Sequence, residues 1–254
     1  MVAVIAVGFV FLGLWQLDRH DEVRLANEEG ASRMSAEPVS LDEALRSAAG
    51  DYESLRYRQV EVTGEYAVED EVLIRSRVHP DFGAGFHVVT PLVLDDGSAV
   101  LVNRGWIPPH LAEPPVAEAA HVDPRAFGLD CDAVLLPAPE AGEVTVVGWI
   151  EPTQERPRFG PTDPPDGRLE RLVRIDVERI ARQVPYPLAP VYMVARGAGE
   201  GLPEPIPVPT FDDMGSHLSY AIQWFSFALI GLVGYGFLMR NRMRQSRARS
   251  STTS

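Results

Sequence analysis

Apolar residues gather at both ends of the chain and alternate with polar ones between them. From Val2 to Leu17 the run is almost unbroken, and it closes with Leu14-Trp15-Gln16-Leu17-Asp18-Arg19. A second run opens at His217-Leu218-Ser219-Tyr220-Ala221-Ile222-Gln223-Trp224-Phe225 and continues to Met239. A membrane-spanning helix needs about 20 apolar residues to cross about 30 Å of hydrocarbon. Tyr220 to Met239 meets this requirement without a charge, whereas Met1 to Leu17 is short. The first run has neither the basic start nor the small-residue cleavage site of a signal peptide. Bulky Trp15-Gln16-Leu17 ends it, so it reads as a true span, its shortness pointing to a start upstream of Met1. If both runs cross, the end of the first and the start of the second share one side. Trp15, Gln16, Arg19, His217, Tyr220, Gln223 and Trp224 then lie near one interface.

The expected division is therefore a first span over 1–17, an outer domain over 18–216, a second span over 217–239 and a tail over 240–254. Between the spans the periods are short. Ser40-Leu41-Asp42-Glu43 is a capping box, and Leu41, Ala44, Leu45 and Ala48 follow at helical spacing until Gly50. Strands are expected at Val60–Thr63, Val72–Ile74, Phe86–Thr90, Leu92–Leu94, Ala99–Val102, Val144–Ile150 and Pro190–Val194. Asp95-Asp96-Gly97-Ser98 reads as a hairpin turn. Asp176 caps a short helix with Val177, Ile180 and Val184 on one face. Pro108 to Gly142, rich in Pro, Ala and acid, reads as a long surface excursion. The Pro203–Pro209 stretch reads as an extended polyproline strap. The class is α+β: two transmembrane helices flank a mainly antiparallel β domain with a few short helices. Sheet and small barrel both satisfy this pattern.

Charge orients the chain. All 36 acids lie between Asp18 and Asp213, and all 23 basic residues are arginine. Arg240, Arg242, Arg244, Arg247 and Arg249 follow the second span with no acid among them. The remaining 18 arginines face 36 acids between the spans, a local balance of −18. Basic flanks stay cytoplasmic. Both termini are thus expected in the cytoplasm and the acidic domain outside, in a cell membrane whose lipid bilayer is the first partner. An acidic domain repels phosphate, so nucleic acid is not an expected partner.

The chemistry-bearing residues are few. Cys131 is the single cysteine, which excludes an intramolecular disulfide and disfavours thiolate-pair copper delivery. The six histidines, His20, His79, His87, His110, His121 and His217, are scattered, and no two share the i, i+4 spacing of a helical metal site. No nucleophile elbow, phosphate loop or redox cysteine pair is present, so the chain is not expected to be an enzyme. Arg104-Gly105-Trp106 offers either a ligand clamp or a structural arginine set against an aromatic. At the interface, His217, Tyr220 and Trp224 fall at i, i+3 and i+7, while Gln16 and Arg19 share a face of the first span. Their plain reading is an aromatic belt with an interfacial histidine. Their chemical reading is a haem site: imidazole for iron, aromatics over the macrocycle, arginine for the propionates.

Several motifs together carry a resemblance. They are Gly13-Leu14-Trp15-Gln16 with Arg19, and Tyr57-Arg58-Gln59-Val60-Glu61-Val62-Thr63-Gly64 with Tyr66. Val89-Thr90-Pro91-Leu92 and Val100-Leu101-Val102-Asn103-Arg104-Gly105-Trp106-Ile107-Pro108 follow. Gly148 with Glu151, and His217-Leu218-Ser219-Tyr220 with Gln223-Trp224, complete the set. In this order they resemble the Surfeit-locus (Surf/Shy) family of cytochrome c oxidase assembly factors. The resemblance implies two spans around an outer domain, and a role in maturing the haem-bearing subunit of the oxidase. It implies haem a as a transient cofactor, His217 as its iron ligand, and haem a synthase as a further partner. The Pro108–Gly142 excursion is longer than the family pattern leads one to expect, and the first span lacks a basic flank. A haem-free scaffold, or a lasting accessory subunit of the oxidase, is the alternative.

Overall fold

The computed structural model describes residues 1–111, 142–197, 203–212 and 215–250. Two compact units emerge. One joins Met1–Ala31 with Thr210–Ser254, and the other is Ser32–Pro209. The excursion expected at Pro108–Gly142 falls almost wholly outside the described residues, as does Cys131.

The terminal unit consists of two long helices, α1 (Val2–Ser35) and α4 (His217–Ser250). Both are long and apolar enough to cross a membrane. At about 1.5 Å per residue each reaches about 50 Å, well beyond the hydrocarbon thickness. Helix α1 does not stop where its apolar run stops at Leu17. Ion pairs at helical spacing carry it on: Arg19 with Glu22 at 2.8 Å, and Arg24 with Glu28 at 3.0 Å. Hydropathy marks the reach of lipid, and the helix is free to continue past it.

Among the described residues the second unit is built on eight strands. They are β1 (Val39–Ser40), β2 (Gln59–Tyr66), β3 (Val72–His79), β4 (Gly83–Val93), β5 (Ala99–Ile107), β6 (Glu143–Pro152), β7 (Arg171–Leu172) and β8 (Leu188–Ala195). Five of them form a closed circuit. Strand β2 pairs with β6, β6 with β8, β8 with β5, β5 with β4, and β4 returns to β2 through Glu65↔Val93 and Tyr66↔Leu92. The barrel is thus the solution, with β5–β8 the one parallel pair in the circuit. Strand β3 lies on the outer edge of β4, and the short β7 and β1 add parallel pairs to β3 and β2. Closure needs a close approach at Gly64, where any Cβ would collide with the Val93 carbonyl oxygen.

Pro91 does not end a strand. Strand β4 runs straight through it, because the ladder to β3 ends at Val89 and the ladder to β2 starts at Leu92. A residue without an N–H is tolerated in such a gap. The barrel core gathers Val60, Val62, Leu92, Val100, Val102, Ile150, Val191 and Met193. Helix α2 (Leu41–Ala48) covers it with Leu41, Ala44 and Ala48. The Ser40 hydroxyl accepts from the Glu43 N–H at 3.2 Å, and Ala49 and Gly50 turn the chain away in the left-handed region. Asp176 likewise caps α3 (Val177–Ala181), whose Val177 and Ile180 are buried. That helix ends before Val184, since Pro185 disfavours a helical residue ahead of it. In the proline strap, Glu204 pairs with Trp106 through two backbone hydrogen bonds of 2.7 Å.

The β4–β5 turn holds Gly97 at φ 79°, with Asp96 accepting from the Ser98 N–H and hydroxyl. These two donors hold the Asp96 carboxyl below its ordinary range. Valine at position 97 would be forced into the left-handed region. Gly97→Val should cost on the order of 1–2 kcal/mol, read as a lower midpoint in chemical unfolding.

His87 of β4 is mostly buried, and its Nδ1 accepts from the Asn103 amide at 3.1 Å. Burial, then the nearby Arg77 and His79, push its pKa down to about 4. The unfolded chain therefore takes up this proton first. Stability from neutral His87 is complete above the ordinary histidine value and is lost as pH falls from there towards 4. The expected loss is on the order of 2 kcal/mol. In His87→Gln the difference in unfolding free energy between pH 7 and pH 4.5 should shrink by about that amount, and an unchanged difference would refute the assignment.

Candidate functional site

Of the residues that the sequence places near one interface, Gln16, His217 and Trp224 lie on the facing sides of α1 and α4, while Trp15, Arg19, Tyr220 and Gln223 are exposed. On α1 the inward face is Ala6, Phe9, Gly13, Gln16, Leu17 and His20, at the alternating three- and four-residue spacing of a helix. On α4 it is His217, Ala221, Trp224, Phe225 and Ala228. Gly13 sets their approach. A Cβ there would lie 2.6 Å from Cε1 of Phe225, so the ring occupies the space where a side chain would be. A small residue at the crossing is the usual device for close helix packing in lipid.

Around this crossing the contacts divide by type. On one side are aromatics. Phe9 stacks on Trp224 with centroids 5.5 Å apart and planes at 24°. Phe227 lies 5.8 Å from Phe9 and meets Trp224 edge-on at 5.9 Å. On the other side, three residues along α1 from Gly13, Gln16 Oε1 lies 2.9 Å from His217 Nδ1. The carboxamide oxygen can only accept, so with this orientation Nδ1 carries the proton. Nε2 makes no hydrogen bond among the described residues and keeps its lone pair. Gly215 adopts φ 63°, and a Cβ there would lie 3.3 Å from Nε2.

Of the five residues singled out from the sequence, His217 and Gln16 are in direct contact. Trp224 is half-buried within the helix pair rather than free beside His217. Tyr220, one turn from His217, is 47% exposed. Arg19 is exposed and pairs with Glu22 at 2.8 Å. Sequence reasoning missed Phe9, Gly13 with Phe225, and His20, whose buried Nδ1 has no hydrogen-bond partner among the described residues. The signal was present, since Phe9, Gly13, Gln16 and His20 repeat at helical spacing. Among the described residues no group of three or more His, Cys, Asp or Glu side chains could hold a metal ion.

In the β domain several motif residues make contacts within the fold. Arg104 sits 5.5 Å over the Tyr66 ring and 3.2 Å from the buried Glu71 carboxylate, which also accepts from Thr90 at 2.8 Å. These contacts set the arginine against an aromatic and a buried carboxylate. Burial raises the Tyr66 hydroxyl to about 12, against the opposing pull of Arg104. Gln59 donates to the Met34 carbonyl, and Tyr57 adopts φ 68° as its N–H reaches the Ile150 carbonyl at 2.9 Å.

Known sequences agree with this architecture. The SURF1 family matches residues 3–229. A SURF1-like protein of Mycobacterium tuberculosis is 27% identical over 249 residues, covering 97% of this chain and 83% of its own. A SURF1-like protein of Dictyostelium discoideum is 25% identical, covering 89% of this chain and 88% of its own. Surfeit locus protein 1 of Mus musculus is 30% identical over 169 residues, 61% of this chain and 48% of that protein. With its two long apolar helices around a small β barrel, and a family match over nearly its whole length, the chain belongs to the SURF1 family.

Proposed function

We propose that this protein is a non-enzymatic membrane assembly factor for cytochrome c oxidase that holds or hands over haem a at the outer interface. The observation that carries the reading is the 2.9 Å contact of His217 Nδ1 with Gln16, which directs a histidine nitrogen lone pair away from the helix seam. Bound haem a would supply the iron and macrocycle destined for the oxidase. The residues fit such a group. His217 offers Nε2 to iron, and Tyr220 is exposed one turn away for contact with a macrocycle. Trp224 lies on the same helix as His217, two turns further along and packed against Phe9. Arg19 is held by an exposed ion pair, which is worth about 0–1 kcal/mol, so exchanging Glu22 for a propionate costs little. The partners are the haem-bearing subunit of the oxidase, haem a synthase and the bilayer. The alternative is a haem-free scaffold or lasting accessory subunit. It is favoured by the engagement of Trp224 with Phe9, which uses for helix packing an aromatic face that haem would otherwise take.

The same reading puts the acidic domain outside a cell membrane and both termini in the cytoplasm, from the arginine run at 240–249. A reporter fused after Ser254 should be active only as a cytoplasmic type, and one inserted near Pro115 only as an export type. The reverse pattern would overturn the arrangement.

The haem reading is tested by an absorption spectrum and haem extraction on protein co-expressed with a haem a pathway. The parent should carry haem a. His217→Ala should lose it while remaining inserted, since alanine suits both helix and lipid, and oxidase activity should fall where this factor limits assembly. Trp224→Phe should retain most of the haem, and Arg19→Gln should retain less than the parent with the spectrum unchanged. Full occupancy and an unchanged spectrum in His217→Ala would establish the scaffold alternative.

A further inference from the structure

We infer that Gln16 is a positioning residue that selects the tautomer of His217, fixing Nε2 as the ligand-presenting atom, beside which a side chain at Gly215 would crowd the ring. The inference rests on the haem reading for its purpose, but the tautomer itself is a property of the haem-free chain.

The argument starts from helix geometry. Gly13 and Phe225 pin α1 against α4, and Gln16 lies three residues along the same face of α1. His217 lies eight residues before Phe225 on the facing side of α4. The pinned crossing therefore holds the carboxamide at bonding distance from the ring, and the bond is 2.9 Å. A carbonyl oxygen accepts and cannot donate, so the nitrogen facing it must carry the hydrogen. A neutral ring has one N–H, and placing it at Nδ1 leaves the lone pair at Nε2. Metal-bound histidines commonly donate their other N–H to such an oxygen, which holds both tautomer and ring orientation. The free nitrogen also needs access. Gly215 adopts φ 63°, and a Cβ there would stand 3.1 Å from Cδ2 and 3.3 Å from Nε2. A side chain at 215 would crowd the edge of the ring that Gln16 leaves free.

The test uses the full-length, haem-free chain in lipid nanodiscs, labelled with 15N-histidine, at a pH where the ring is neutral. His217→Ala identifies the His217 signals. The parent should show a protonated Nδ1 and an unprotonated Nε2. Gln16→Leu should move the population towards protonated Nε2, and Gln16→Glu, which keeps an accepting oxygen, should retain the parent tautomer. Haem a titrated into the same samples should bind Gln16→Leu about 10–100-fold more weakly than the parent, the usual range for loss of an outer-shell partner, with Gln16→Glu closer to the parent. Gly215→Ala should weaken haem binding with the tautomer unchanged. A protonated Nε2 in the parent, or no change in Gln16→Leu whose helices remain paired by a Phe225–Gly13 contact signal, would overturn the inference. A parent with protonated Nδ1 that binds no haem would instead sink the haem reading and leave the tautomer assignment standing.

Discussion

Two helices in lipid have no hydrophobic reason to associate, because hydrocarbon satisfies an apolar side chain as well as another helix does. Whatever holds α1 to α4 must come from close packing and from polar groups that find each other. Gly13 supplies the first by letting the Phe225 ring settle against its backbone. Gln16 and His217 supply the second at one end of the seam, and Phe9, Trp224 and Phe227 fill the stretch beyond the crossing. The outer faces carry Val4, Phe11, Trp15, Ile230 and Phe237, all exposed, as residues meeting lipid should be. The seam therefore concentrates the polar chemistry of the helix pair into a few side chains.

The β domain solves a different problem. A sheet of short strands leaves edges with unpaired backbone groups, and closure removes them. Here the return of β4 to β2 takes two residue pairs, Glu65↔Val93 and Tyr66↔Leu92, made possible by the bare backbone at Gly64. Around that point Arg104, Glu71, Thr90 and Tyr66 form a satisfied buried network. A buried ion pair of this kind gives little net stability, and removing one partner strands the other. This gives a physical reason for those motif residues to be fixed without a ligand being involved.

Much of this was legible in local pattern. The Ser40 and Asp176 caps, the Asp95–Ser98 turn and most strands depend on residues a few positions apart, and the structure has them where the sequence puts them. Closure was not legible, because β2–β4 and β5–β8 join residues far apart in the chain and alternation says nothing about neighbours. Helix α1 runs past Leu17 to Ser35, because the apolar run marks the reach of lipid and ion pairs at helical spacing carry the helix beyond it. Strand β4 was split at Pro91 because the gap in its edge ladder is a tertiary fact. Gln16 and His217 were each visible, while the bond between them, 201 residues apart, was not. Arg19 drew a propionate role from its position, and the structure pairs it with Glu22.

The two nitrogens of His217 set the limit on what its removal can mean. Nδ1 takes part in the helix seam and Nε2 does not, so deleting the ring removes a seam bond and the proposed ligand together. The sizes separate them. An interhelical hydrogen bond in lipid is worth about 0.6 kcal/mol on average and under 2 at most. The aromatic cluster and the Gly13 crossing remain when it is lost, so the helices stay together. An axial ligand to iron is a far larger share of haem affinity than a single hydrogen bond is of helix association. A variant that keeps its helices paired and loses haem therefore reports on Nε2. One that keeps both shows that the histidine served only the seam, where Gln16 would have been its whole purpose.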